Sequence, residues 1–152
     1  VSRLAGVLDE KPDAAAAGPL LLIWGAEDHL NSLGLNLSTG GEAWDEGIGL
    51  PLASRLPLPE RAEVLAVTGS AVLIRRSAFE KAGGWSQLFD FYMEDLDLCL
   101  RFRRQGRSVW LVPDAVAVHA VSATAGAIRP EAAPESTPWL EFSTLLPYLE
   151  GP

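Results

Sequence analysis

The carboxylate pair Glu94-Asp95 is the part of the chain where residue types and spacing point most clearly to chemistry. The segment 91–106 predicts a helix that ends at a glycine and carries arginines in its last turns. At about 100° per residue, Asp95 falls within the apolar arc of this helix and Glu94 falls outside it. That arc consists of Leu96, Leu98, Cys99, Leu100 and Phe102. An inward-facing carboxylate is costly unless it is paired or used, so Asp95 is the first candidate for chemistry.

Asp97 adds a third carboxylate and completes the letters of an Asp-x-Asp metal motif. On a helix, however, Asp95 and Asp97 point roughly 200° apart and cannot chelate one ion. Asp97 is expected to be solvated or to pair with Arg101 one turn later. For Asp95, the helix dipole favours the ionised form and burial favours the protonated form. The sequence leaves that balance open.

The bulk composition indicates one globular domain with a core of its own. The chain has 152 residues, of which 48% are hydrophobic and 21% charged. Its net charge of −8 argues against a nucleic-acid partner and against a broadly basic membrane-binding face. The single cysteine, Cys99, rules out a disulfide within the chain and is expected to be a small buried hydrophobe. No apolar run is long enough to cross a bilayer.

Helical and strand patterns are mixed along the chain, which predicts an α/β fold. The predicted helices cover 1–10, 78–82 with Ser77 as its N-cap, and 91–106. The predicted strands cover 20–24, then 64–75 as a strand pair or one strand bent at Gly69, then 109–112 and 115–119 around a Pro113-Asp114 turn. Residues 14–18 are expected to form a small-residue link, 27–50 a long irregular stretch, and 51–59 a proline-rich connector.

Four segments, in this order and with these gaps, resemble the C-terminal half of a family 2 glycosyltransferase. They are 67–76 (VTGSAVLIRR), 79–85 (FEKAGGW), 92–101 (YMEDLDLCLR) and 112–119 (VPDAVAVH). The likeness is greatest to rhamnosyltransferase-like bacterial members. Residues 122–126 (SATAG) continue it, and residues 31–34 (NSLG) do so more loosely. The strong part covers 67–126, and the order of several motifs makes it specific.

The resemblance implies a GT-A fold, in which helices cover both faces of one mixed, mostly parallel sheet. In that family the first half binds a nucleotide-diphosphate sugar and usually holds Mn²⁺ or Mg²⁺ with an Asp-x-Asp motif. The second half shapes the acceptor site and supplies the base. The implied reaction is an inverting transfer to a hydroxyl of a saccharide or lipid-linked acceptor, in the synthesis of a cell-surface polysaccharide. The implied location is the cytoplasm, with the inner face of the plasma membrane as an alternative.

The resemblance also assigns roles to the polar residues of its motifs. Asp95 takes the place of the general base and Glu94 supports it, while His119 helps to bind the metal or the diphosphate. From the residues alone, Asp95 could equally complement the helix dipole. Glu94 could be a solvated surface charge, and His119 a satisfied histidine at a strand end.

Three further positions are expected to bind the acceptor or donor sugar: Gly69, where the chain passes close to it, Ser70 beside it, and Trp85. An aromatic ring can stack on the apolar face of a sugar, although core packing is the more common use of tryptophan. The other histidine, His29, matches no motif and is expected at the surface.

The chief departure from the family is a missing nucleotide-binding half. No strand-end Asp-x-Asp is found, and the chain begins at Val1. We therefore expect residues 1–126 to be the acceptor-side part of a GT-A domain, inactive alone, and 127–152 to be a proline-rich extension. That extension could form a homodimer surface or a peripheral membrane contact. Two rival interpretations are a non-catalytic binding module and a hydrolase that uses Asp95 and His119 on one water.

Overall fold

The computed structural model describes residues 1–89, residues 92–120 and the backbone of 140–141. Its helices are α1 (Ser2–Glu10), α2 (Arg76–Lys81) and α3 (Glu94–Arg104), with a 3₁₀ helix at Leu52–Arg55. Its strands are β1 (Ala14–Ile23), β2 (Ala26–Ser32), β3 (Leu35–Leu37), β4 (Glu42–Asp45), β5 (Ala62–Glu63), β6 (Leu73–Ile74), β7 (Ser108–His119) and β8 (Leu140–Glu141). None of the helices among the described residues has the length and apolar character needed to span a bilayer.

A mixed five-stranded sheet forms the centre of the fold, which confirms the predicted α/β class. Its order is β2-β1-β7-β5, and β6 also pairs with β1. The long strands β1 and β7 are parallel, whereas β2, β5 and β6 join antiparallel. A smaller antiparallel sheet contains β3, β4 and β8.

Helices α1 and α3 cover opposite faces of the central sheet. Successive side chains of a strand point to opposite faces, and Ala16 packs in one cluster with Phe102 of α3 while Ala17 packs in another with Val7 of α1. Both helices therefore bury their apolar sides against β1 and β7. This packing fixes where the first turn of α3 lies relative to the sheet.

The prediction of a link at 14–18 was wrong, because these residues form the first half of β1. Alanine has low strand propensity, yet Ala14 to Ala17 are almost completely buried. Small side chains let the neighbouring layers approach closely. At Gly18, a Cβ would lie only 2.8 Å from the Cβ of Val67, so that position leaves no space for a side chain.

The prediction of an irregular stretch at 27–50 was also wrong, since β2, β3 and β4 occupy much of it. These short strands are separated by glycines with positive φ, Gly34 and Gly41, which obscures their alternation. The predicted turn at Pro113-Asp114 is instead an irregularity within β7. The parallel register with β1 moves there from Pro19↔Val112 to Leu20↔Val116.

Residues 64–75 form neither a strand pair nor one strand bent at Gly69, since only Leu73–Ile74 of this segment is a strand. The short strand β5 precedes this segment and pairs with β7, while β6 at its end pairs with β1. Helix α2 begins at Arg76, so Ser77 lies inside it, and no side chain makes an N-cap hydrogen bond. Arg75 instead binds carbonyl oxygens of Ala14 and Leu8 with its guanidinium.

Helix α3 begins at Glu94, later than predicted, because Tyr92 and Met93 adopt left-handed backbone conformations with φ of 64° and 75°. Such conformations are uncommon outside glycine and end regular structure locally. The family-like residues 122–126 and the extension 127–152 lie outside the described residues, apart from β8. The backbone of that strand pairs with Glu42 and Ala43 of β4.

Candidate active site

The carboxylate of Asp95 is held by two backbone N–H groups at the start of α3. Its Oδ2 accepts a 2.8 Å hydrogen bond from the N–H of Gly69, and its Oδ1 accepts a 2.8 Å bond from the N–H of Leu96. The apolar arc positions this turn as predicted: Leu96, Leu98, Cys99 and Phe102 are all buried. Asp95 is thus fixed between the helix terminus and the turn at 69–70.

For Asp95, the sequence left open whether the ionised or the protonated form is favoured, and burial determines the direction of the pKa shift. It raises the pKa of the Asp95 carboxyl, and the hydrogen bonds from Gly69 and Leu96 offset that rise only in part. The pKa of Glu94 is raised as well, first by burial and then by the charge of Asp95. Two neighbouring carboxyls that disfavour simultaneous ionisation are a common feature of sites that move protons.

Glu94 and Asp95 lie around the open side of Gly69. A Cβ built on Gly69 would meet the Asp95 Cβ at 3.5 Å, Asp95 Oδ2 at 3.7 Å and Glu94 Oε1 at 3.9 Å. The other oxygen of Glu94, Oε2, is buried and has no hydrogen-bond partner. The structure therefore brings together three of the predicted site residues.

Ser70 lies beside this group, and its hydroxyl is 2.9 Å from Thr68 Oγ1. Thr68 also lowers the pKa of Asp95 through a side-chain hydrogen bond, although burial outweighs it. No role for Thr68 was predicted from the sequence. The position of Thr68, one residue before Gly69, was the one feature of the sequence that could have indicated a role at the site.

Asp45 is a second residue that the sequence analysis missed. It ends β4, and its Oδ1 is buried without a hydrogen-bond partner. Burial raises the pKa of Asp45 to about 6; a hydrogen bond with Ser32 opposes that rise and the charge of Asp95 adds to it. No sequence pattern indicated Asp45, because it comes close to Asp95 only through the pairing of β3 and β4.

Trp85 does not join this cluster through any described contact. It is 43% exposed, and its ring packs edge-to-face on Phe79 with 5.6 Å between centroids. Arg101 holds the preceding loop by donating to the carbonyl oxygens of Ala82 and Gly84. The predicted pairing of Asp97 with Arg101 is confirmed, with N–O distances of 2.6 and 2.9 Å.

His119 lies at the end of β7, and its Nδ1 is 2.9 Å from Oδ1 of Asn31. Burial lowers the pKa of its imidazole, which favours the neutral form that binds metals. Within 1–89 and 92–120, no three His, Cys, Asp or Glu side chains are grouped to hold a metal ion. His119 fits the chemistry of a single metal ligand, and the described residues do not complete a site. Among the described residues, no hydrogen bond joins His119 to Asp95, and the hydrolytic alternative, which needs both side chains within reach of one water, stays a prediction.

Known proteins match the part of the chain that contains this site. Residues 59–130 match the family described as "Glycosyl transferase family group 2". The O-antigen biosynthesis protein RfbC of Myxococcus xanthus is 35% identical over 88 residues, which are 58% of this chain and 7% of that protein. An N-acetylglucosaminyl-diphospho-decaprenol L-rhamnosyltransferase of Mycobacterium tuberculosis is 39% identical over 61 residues, which are 40% of this chain and 20% of that protein.

The chain therefore spans only a small share of these relatives. The matched residues 59–130 contain the turn at Gly69, the first turn of α3 and His119. The mixed sheet with helices on both faces agrees with a GT-A-like domain. Residues 59–130, a little under half of the chain, are thus similar to the family 2 glycosyltransferases.

Proposed function

We propose that this chain is the acceptor-side, base-bearing part of an inverting glycosyltransferase. The donor is a nucleotide-diphosphate sugar, and the acceptor is a hydroxyl of a saccharide or lipid-linked saccharide. The observation that carries this proposal is the anchoring of Asp95. Each of its carboxylate oxygens accepts one backbone N–H, which fixes the carboxylate and still leaves it able to accept a bond from a bound hydroxyl.

Inverting transfer is a single displacement at the anomeric carbon. The acceptor oxygen forms its bond to that carbon as the bond to the diphosphate breaks, and the acceptor's proton passes to a carboxylate. Asp95 is suited to this step because it is held in one orientation and its pKa is raised by burial. A carboxylate with a raised pKa accepts a proton more readily than an ordinary one.

The residues around Asp95 take supporting roles in this proposal. The buried, unpartnered Oε2 of Glu94 would be satisfied by a hydroxyl of the bound sugar, since buried polar groups are seldom left without partners. The absence of a side chain at Gly69 keeps the approach to both carboxyls open. Ser70 supplies a hydroxyl beside that approach. Outside this cluster, the partly exposed Trp85 ring offers a stacking surface for a longer acceptor.

The leaving diphosphate requires positive charge, and a divalent Mn²⁺ or Mg²⁺ ion would supply it. His119 would contribute one ligand to that ion, and the nucleotide-binding half typical of the family would contribute the others. On this proposal the isolated chain lacks a complete donor site. The transferase is expected to need sequence beyond the chain.

The activities for which the relatives are named support a saccharide or lipid-linked saccharide as the acceptor. One relative is named for transfer to a decaprenol-linked diphosphate sugar and the other for O-antigen biosynthesis. We therefore infer a role in cell-surface polysaccharide synthesis, at the cytoplasmic face of the membrane where lipid-linked acceptors would be met. That the chain forms a homodimer and that it contacts the membrane directly stay predictions.

Calorimetric binding of UDP and dTDP in the presence of Mn²⁺ tests this proposal. It should be measured on this chain and on the chain extended by the sequence encoded upstream of it. We expect binding only in the extended form. His119→Gln should weaken it roughly tenfold, and His29→Gln, which changes the other histidine, should leave it unchanged. Absence of binding in both forms would instead support a non-catalytic binding module.

A further inference from the structure

The side chain of Asn31 reaches across the central strand of the sheet to His119. Asn31 belongs to β2 and His119 to β7, and these two strands pair with opposite edges of β1. The distance from Asn31 Oδ1 to His119 Nδ1 is 2.9 Å, and Asn31 is 4% exposed. The bond therefore joins two residues 88 positions apart that share no strand pairing.

A β-bulge places Asn31 in this position. Leu21 pairs with Ser32, but Leu22 pairs with Leu30, so Asn31 is the extra residue on β2. Bulges re-aim a side chain relative to the regular pleat and are frequent next to active sites. The sequence resemblance at 31–34 gave Asn31 no role; the structure supplies one.

The chemistry of the amide constrains the imidazole. Oδ1 of asparagine carries no hydrogen, so the Nδ1 of His119 must donate the hydrogen of this bond. In the neutral ring, the lone pair then resides on Nε2. Histidines that bind metals commonly have this arrangement, in which the second nitrogen is held by a carbonyl or carboxylate oxygen.

We propose that Asn31 is a positioning residue that fixes His119 in its Nδ1–H tautomer, so that Nε2 presents its lone pair to a divalent cation. The inference rests on the proposed role of His119 in the transferase. It adds a residue outside the matched range 59–130 to that site. An asparagine that served packing alone could be replaced by an apolar side chain without changing which ring nitrogen carries the proton.

Long-range ¹H–¹⁵N NMR on the metal-free chain tests the tautomer directly. His29 and His119 are the only histidines, and His29→Gln assigns the signals. At alkaline pH, where the ring is neutral, we expect the His119 Nδ1 to be protonated and Nε2 to be unprotonated. A dominant Nε2–H tautomer in the unaltered chain would overturn the proposal without any variant being made.

Two variants separate positioning from packing. Asn31→Leu keeps the branched shape, with a somewhat larger volume, but removes the acceptor, and it should shift the His119 Nε2 signal toward the protonated position. Asn31→Asp restores an acceptor and should return the Nδ1–H tautomer at the same alkaline pH. The amide spectrum and the His29 signals verify folding in each case. An unchanged tautomer in folded Asn31→Leu would contradict the proposal.

Transfer rates in the extended protein give the second readout. Asn31→Leu should lower kcat/KM roughly 10–100-fold, and Asn31→Asp should recover part of that loss. An unaltered transfer rate in Asn31→Leu would contradict the proposal that Asn31 positions His119. If the unaltered extended protein shows no transfer, the proposed function fails while the tautomer result still decides whether Asn31 orients His119.

Discussion

The backbone N–H of Gly69 donates a 2.8 Å hydrogen bond to Oδ2 of Asp95, 26 positions further along the chain. This bond ties the turn at 69–70 to the first turn of α3. Cys99 reinforces the junction, since it is buried on the same helix with Sγ 3.9 Å from the carbonyl oxygen of Val67. The position of the proposed base is therefore set by packing between two elements, as well as by the helix that carries it.

Alanine substitutions at two glycines should separate a site glycine from a packing glycine. At Gly69 the nearest atom to a new Cβ is 3.5 Å away, whereas at Gly18 the Cβ and Cγ1 of Val67 are 2.8 Å away. We expect Gly18→Ala to lower the free energy of unfolding by about 1–3 kcal/mol. Gly69→Ala should change it by less than about 1 kcal/mol. Urea denaturation measures both.

Gly69→Ala should still impair the extended enzyme. The new methyl group would narrow the approach to Asp95 and Glu94, so the KM for the acceptor should rise while the fold is retained. Equal loss of stability in the two alanine variants would show that the space at Gly69 is not open in solution.

Asp45→Asn should stabilise the protein at neutral pH. The pKa of Asp45 is raised by burial to about 6 in the folded chain, against 3.8 for an ordinary aspartate side chain. The folded state thus binds this proton more tightly than the unfolded state, and the associated stability is lost as pH rises from about 4 to 6. Asparagine does not titrate, so the variant should gain about 2–3 kcal/mol above pH 6. The gain should vanish below about pH 4.

Denaturant unfolding of Asp45→Asn at acidic and at mildly alkaline pH measures that difference. Glu42→Gln removes one charge at the exposed beginning of the same strand and controls for net charge. A gain that is the same at both pH values would mean that the buried Asp45 carboxyl is not its source.

Cys99 should be unreactive in the folded protein. It is 3% exposed, and burial raises the pKa of its thiol to about 12, so almost no thiolate forms at neutral pH. A chromogenic disulfide reagent should label it only after denaturation, at a rate that follows unfolding. Rapid labelling under native conditions would contradict the packing of α3 described above.

The sequence predicted α3 better than it predicted the sheet. Its apolar arc was readable because helical periodicity extends over many residues, and the inward position of Asp95 followed from that arc. The strand at 14–18 was not predicted, because the burial of its alanines depends on which helices and strands pack against them. The local sequence pattern does not contain that information.

The contributions of Asp45 and Asn31 were not predictable for a related reason. Asp45 approaches Asp95 through strand pairing, and Asn31 reaches His119 through a bulge in β2. Both depend on contacts between distant parts of the chain. The resemblance to the family located Asp95 and His119, but it did not indicate what holds either side chain.

The most direct test of the account is the effect of Asp95→Asn on sugar transfer by the extended protein. Asparagine keeps the shape and can accept one of the two backbone hydrogen bonds that hold Asp95, but it cannot take the acceptor's proton. We expect kcat to fall by roughly 10²–10⁴-fold with nucleotide binding unchanged. Asp97→Asn, two residues along α3, should retain its hydrogen bond to Arg101 and stay within about threefold of the unaltered rate. Transfer by Asp95→Asn at the unaltered rate would contradict the assignment of Asp95 as the base.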